Sequence, residues 1–218
     1  MEKLQQAEQI DHFFFQVSQN PVNAKAREQH SYVPMSDVLE PYLLNTQIIK
    51  LHPTAEAGLP HTRPPNLICI PMYYPEDRMD LVLKHELIHI DQRRRWQKWN
   101  AFFQRQGWSI SPISEIPSRW LQRCRLNPDT IDEQFWAWRD RHVPLPLYER
   151  EDRPDLRSVS IRWWDKETGF LQTEAPRSFQ ERFGRTPSQP EHPRELAAVE
   201  LAEIFQTPSD IDSYLASE

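Results

Sequence analysis

The stretch Leu81-Val82-Leu83-Lys84-His85-Glu86-Leu87-Ile88-His89-Ile90 spreads apolar side chains almost all the way around a helix. A helix of that pattern is buried, so the rest of the chain must wrap it. Two histidines and a glutamate sit inside it, and burying them is costly unless something satisfies them. His85 and His89 stand one turn apart on one face, so both imidazoles can grip a single metal ion. Glu86 is rotated ~100° from His85 and falls beside such an ion rather than on it. The competing reading is a pair of core histidines hydrogen-bonded to backbone or carboxylates, with Glu86 paired to an arginine.

The chain has 218 residues, enough for one domain with a core of its own. Its 20 prolines against 4 glycines predict short elements joined by stiff, extended connections. A net charge of -6 argues against a nucleic-acid partner. Arg93, Arg94 and Arg95 are expected to form a solvated helix end. No run approaches the ~20 apolar residues of a membrane span. The opening MEKLQQAEQIDHFFFQV does not read as a secretory signal, so an intracellular protein is expected. Cys69 and Cys124 make no disulfide framework and are expected as buried thiols.

The pattern predicts a helix over Glu2 to Gln19 and a short one after Pro21. Strands are expected at Thr46 to Leu51 and at Asn66 to Met72, the latter at a sheet edge because of Pro71. One long helix should run from Glu76 to near Gln106. Ser114 to Cys124 should be helical, Phe135 to Trp138 is ambiguous, and VPLPLYE is extended. SVSIRWWDKETGFLQT reads as a hairpin. Helices follow over Pro176 to Phe183, Pro193 to Gln206, and from near Ser209. Strands and helices without a βαβ rhythm give the α+β class.

The string HELIH, an HExxH with an apolar lead-in, resembles the active-site helix of the zincin metallopeptidases. The resemblance covers about Asn66 to Trp96. It implies a zincin-like fold, with a small sheet whose edge strand lies over a buried HExxH helix and holds an extended substrate. Asn66 to Met72 is the natural candidate for that strand. The third-histidine type HExxHxxGxxH is excluded, because Arg95 stands where that histidine would be. Glu191-His192-Pro193-Arg194-Glu195-Leu196-Ala197-Ala198 resembles the second motif of the glutamate-zincins (gluzincins), which implies Glu195 as the third zinc ligand. Its distance from His89 is far longer than in the best-known pattern, and Val199 stands where some relatives carry a second acid.

Helix arithmetic bears on the same choice. With Glu195 at zero and ~100° per residue, Val199 and Ala202 flank it on the apolar arc shared with Ala197, Ala198, Leu201, Ile204 and Phe205. Glu200 and Glu203 fall in the polar gap. His192, just before the helix, is the rival ligand. The implied protein is a single-domain hydrolase over residues 1–218, with 109–190 shaping one wall of its cleft. It would be a zinc-dependent metalloprotease with one zinc per chain, held by His85, His89 and Glu195. A zinc-activated water would attack a peptide bond, with Glu86 as the general base. The alternatives are a zinc amidase on a non-protein substrate and a non-catalytic binding or structural protein on the same frame. Tyr73, Tyr74, Tyr148, Arg141 and His142 are weak candidates for oxyanion stabilisation. Trp96, Trp99, Trp136, Trp138, Trp163 and Trp164 are expected in the core.

Overall fold

The computed structural model describes residues 2–39 and 46–217. The chain is mixed α+β, with two sheets and helices between and beside them. It begins with three helices, α1 (Glu2–Asp11), α2 (Phe13–Gln19) and α3 (Pro21–Glu28). The single N-terminal helix expected from periodicity is broken at His12, whose φ is 54°. Asp11 accounts for the break. Its carboxylate accepts the Phe13 N–H at 3.0 Å and pairs with the buried Arg63 guanidinium at 2.9 Å. That guanidinium lies over the rings of both Phe13 and Phe14.

The first sheet contains β1 (Pro34–Leu39), β2 (Gln47–Leu51), β3 (His61–Arg63) and β4 (Leu67–Pro71), in the order β1-β2-β4-β3. β2 and β4 are parallel, and the other two pairings are antiparallel. The unbroken apolar run of β4 is buried on both faces, as a covered strand requires. Leu67 and Cys69 meet Leu4 and Ala7 of α1, while Ile68 and Ile70 face the helix that carries the HELIH string.

The position of β4 corrects the sequence expectation: it is internal, not an edge strand. Pro71 is tolerated because it is the last residue of the strand and extends past β3, whose pairing begins with His61 opposite Cys69. The N–H on the β2 side comes from Met72, which reaches the Leu51 carbonyl at 2.9 Å. The edge strand on the β4 side is β3, with β1 at the other edge, and the outward groups of Thr62 in β3 are already engaged. The Thr62 N–H bonds Asp129 at 2.7 Å, and the Thr62 carbonyl accepts from Arg93 at 3.2 Å. A substrate strand therefore cannot pair with β4 over Leu67–Cys69, where β3 already lies, nor with Thr62 of β3 as it stands.

Against this sheet lies α4 (Met79–Arg94), followed by α5 (Trp96–Arg105). The one long helix expected there is bent at Arg95, whose φ and ψ are -115° and 34°. Asp91 holds the bend by accepting from Arg95 at 2.8 Å and from the Trp99 indole at 2.8 Å. The bend turns Trp99 and Phe102 toward Tyr214. Only Arg94 of the arginine run is exposed. Arg93 is tied to Thr62 and Pro128, and Arg95 to Asp91 and Asp212.

The second sheet is an antiparallel meander of β5 (Trp108–Ile110), β6 (Trp136–Trp138), β7 (His142–Tyr148), β8 (Val159–Asp165) and β9 (Leu171–Gln172). The expected helix over Ser114 to Cys124 shrinks to a 3-10 turn and α6 (Ser118–Leu121), because Pro112 and Pro117 each restart the chain. The C-terminal part is helical: α7 (Arg177–Phe183), α8 (Pro193–Ile204) and α9 (Pro208–Ala216). One core runs from Ile48, Ile68 and Ile70 through α4, α5 and α8 to Trp108, Trp136, Trp138 and Trp163 of the second sheet. Trp164 packs in a neighbouring cluster, whereas Trp96 is 48% exposed and outside the core. Among the described residues no helix is long and apolar enough to cross a membrane. Cys69 and Cys124 are free and buried.

Candidate metal centre

α4 and α8 pack against each other, with His85, Glu86 and His89 on the first helix and Glu195 on the second. Ala197, Ala198 and Ala202 on α8 are buried, and their small side chains permit the close approach. Pro193 opens α8. The His192 ring caps its start, with Nδ1 accepting the Arg194 N–H at 3.1 Å. Arg194 is buried and clamped by Asp132 and Glu133. This anchoring fixes the first turn of α8, and hence Glu195.

Nε2 of His85 lies 3.0 Å from Nε2 of His89, and Oε2 of Glu195 lies 3.3 Å from each. For a tetrahedral ion with bonds of ~2.0–2.1 Å, ligand atoms stand ~3.3–3.4 Å apart. The three atoms therefore form a triangle of the size one such ion requires. Imidazole and carboxylate are also fitting donors for it. Among the described residues no fourth His, Cys, Asp or Glu joins this group.

His89 and Glu195 are each oriented from behind. Nδ1 of His89 donates to Oε1 of Gln92 at 2.8 Å, because a side-chain carbonyl only accepts. Nε2 of His89 is thus the nitrogen that faces the triangle, and it offers its lone pair there once the ring is neutral. Gln92 is held in turn by its own donation to the Arg194 carbonyl at 2.9 Å. The second oxygen of Glu195, Oε1, accepts from Nδ2 of Asn127 at 2.6 Å. Such outer partners set ligand direction and basicity.

Burial opposes charge at Glu195 and at His89, but the neighbours decide the outcome. Burial works to raise the Glu195 carboxyl. The facing His89 and His85 imidazoles outweigh it and hold the group well below the usual carboxylate range. Burial works to lower His89. The carboxylates of Glu195 and Asp129 overcome it and raise the imidazole to about 9. The pocket thus favours positive charge where the three ligands meet. A divalent ion bound there would displace the His89 proton below that value, so divalent-ion affinity is expected to rise with pH across the neutral range. The rise should be on the order of ~10-fold per pH unit for one proton released. Competition titrations with a chelator at several pH values measure it, and a flat profile contradicts it.

Glu86 is 3% exposed, and its Oε2 has no hydrogen-bond partner among the described residues. Burial and the nearby Asp129 carboxylate raise its pKa well above the ordinary value. A cleft of about 810 Å³ opens onto His85, Glu86 and Glu195. Its lining also includes Leu126, Asn127, Leu156, Val159, Ile161 and Pro190.

His192 is not brought to the histidine pair. Its Nε2 bonds the Glu133 carbonyl at 2.7 Å while its Nδ1 caps α8, and burial together with Arg194 holds its pKa down at about 3. Glu200 and Glu203 are exposed, and so is Ile204, which the helix arithmetic had put on the apolar arc. Of the five oxyanion candidates only Tyr74 lines the cleft. Tyr148 donates to Asn23, Arg141 pairs with Asp165, His142 sits in β7, and Tyr73 is 79% exposed. Gln92, Asn127 and Asp129 were missed from sequence. Gln92, three residues after His89 and so near it on the helix, was the one with a readable signal.

Comparison with known proteins finds no matching family model, no similar curated protein and no similar solved structure.

Proposed function

We propose that this chain is a zinc-dependent peptidase with a zincin-like arrangement of the gluzincin type, in which His85, His89 and Glu195 hold one zinc ion and Glu86 is the general base. One observation carries the reading: three ligand atoms at tetrahedral spacing, next to a buried carboxylate with a free oxygen, at the wall of an open cleft. Three protein ligands suit a catalytic site, whereas a structural site is closed by four. Zinc bound there would supply Lewis acidity, polarising a carbonyl and making a water easier to ionise.

The chain's own residues supply the rest. Glu86 takes a proton from water at Oε2 as the water oxygen bonds to the carbonyl carbon. It then returns that proton to the amine nitrogen as the C–N bond breaks. Oε2 is suited to this because among the described residues it has no hydrogen-bond partner. Leu81 and Val82 on α4 and Val199 and Ala202 on α8 give the cleft apolar walls near the site.

The covered edge of β3 favours a second reading, a zinc amidase whose substrate is not an extended peptide, because strand addition is the usual way to hold one. The test is hydrolysis of a mixed fluorogenic peptide library beside small acyl-amides, with chelator inhibition and zinc restoration. Zinc-restored cleavage of peptides supports the first reading, and cleavage of the small amides alone supports the second. No zinc-dependent amide cleavage by purified, zinc-loaded protein contradicts both.

A further inference from the structure

The third ligand is oriented by a part of the chain that neither ligand-bearing helix supplies. Asn127, Pro128, Asp129 and Thr130 form a tight turn just before β6. Nδ2 of Asn127 donates to Oε1 of Glu195 at 2.6 Å, and Oδ1 of Asn127 accepts the Asp129 N–H at 3.0 Å. The Asn127 side chain is therefore held at both ends and cannot rotate away without unmaking the turn. The turn is itself fixed to two other elements. Asp129 Oδ1 accepts the Thr62 N–H of β3 at 2.7 Å, and the Pro128 carbonyl accepts from Arg93 at 3.1 Å. Arg93 follows His85 and His89 at the same four-residue step, so all three side chains leave one stripe of α4. The helix that supplies two ligands thus also grips the turn that orients the third.

We infer that Asn127 is a positioning residue for the metal: by occupying Oε1 of Glu195 it restricts the carboxylate to one-oxygen ligation through Oε2 and keeps a coordination position open. This rests on the zinc reading given above. A carboxylate free to rotate can present both oxygens to an ion. Here Oε2 faces both imidazoles while Oε1 is engaged by an amide, which also favours the ionised ligand.

Asn127→Asp separates this role from the turn. It keeps the oxygen that accepts the Asp129 N–H and replaces only the NH2 that meets Glu195. The variant is expected to keep the far-UV circular dichroism of the parent and to bind zinc ~10–100-fold more weakly, the usual scale for losing a partner behind a ligand. Its cobalt-substituted form should lose the intense visible absorption of a four-coordinate ion. If the variant does not fold, Asn127→Ser, which keeps a short side-chain oxygen able to accept the Asp129 N–H and adds no charge, is read the same way. The parent protein gives a readout that needs no variant: the Asn127 side-chain amide resonances of 15N-labelled protein should shift and exchange more slowly on zinc addition. A parent that binds zinc, beside a folded Asn127 variant with the same zinc affinity and cobalt spectrum, overturns the positioning role alone. Asn127 amide resonances unmoved by zinc also overturn it. A parent that takes up no zinc overturns both this inference and the zinc reading.

Discussion

Glu86→Gln is expected to retain zinc, lose amide hydrolysis by roughly two or more orders of magnitude, and unfold at a higher temperature than the parent when both are zinc-free. The loss follows from removing the group that moves the proton while keeping its shape. The stability gain follows from the electrostatics. Burial and Asp129 raise the pKa of Glu86 in the folded state. A group raised in this way contributes stability that is present below its unfolded pKa and lost as pH rises through the folded one. At neutral pH the folded protein therefore bears the cost of this carboxyl, and a neutral amide removes it. Turnover at the parent rate on any amide substrate contradicts the base assignment. A fall in melting temperature contradicts the electrostatic account.

Glu195→Gln should behave in the opposite sense. Removing the ligand is expected to weaken zinc binding by at least ~100-fold, beyond the scale for an outer partner alone. It should also destabilise the zinc-free protein at neutral pH. The folded-state pKa of Glu195 is depressed by the facing imidazoles in spite of burial. Its contribution is thus present above the unfolded carboxylate range and lost as pH falls through the folded value. Two buried glutamates at one site should therefore give melting shifts of opposite sign on the same Glu-to-Gln change. Shifts of the same sign contradict the charge arrangement described here.

Local pattern carried the readings that rest on a single helix. The HELIH stretch shows its burial because its apolar residues leave no polar face, and Glu195 stands apart from Glu200 and Glu203 because the helix wheel separates them. Pairing between distant segments is not local. Pro71 suggests an edge strand until β3, a three-residue strand in a proline-bounded loop, is seen to cover part of β4. The bend at Arg95 depends on Asp91 reaching Trp99, a contact that periodicity alone does not specify. Arg93 reads as surface charge because its partners, Thr62 and Pro128, come from far along the chain in either direction. Asn127 reads as an ordinary turn former. Only the fold brings it to Glu195.

The central claim is three protein ligands around one zinc ion with one position open. X-ray absorption at the zinc edge on protein of known metal content tests it most directly. The account predicts one zinc per chain, two imidazole nitrogens and one carboxylate oxygen at ~2.0–2.2 Å, and a further light-atom ligand from solvent, with one imidazole lost in His89→Ala. No stoichiometric zinc after re-addition, or a zinc environment unchanged by His89→Ala, would contradict it.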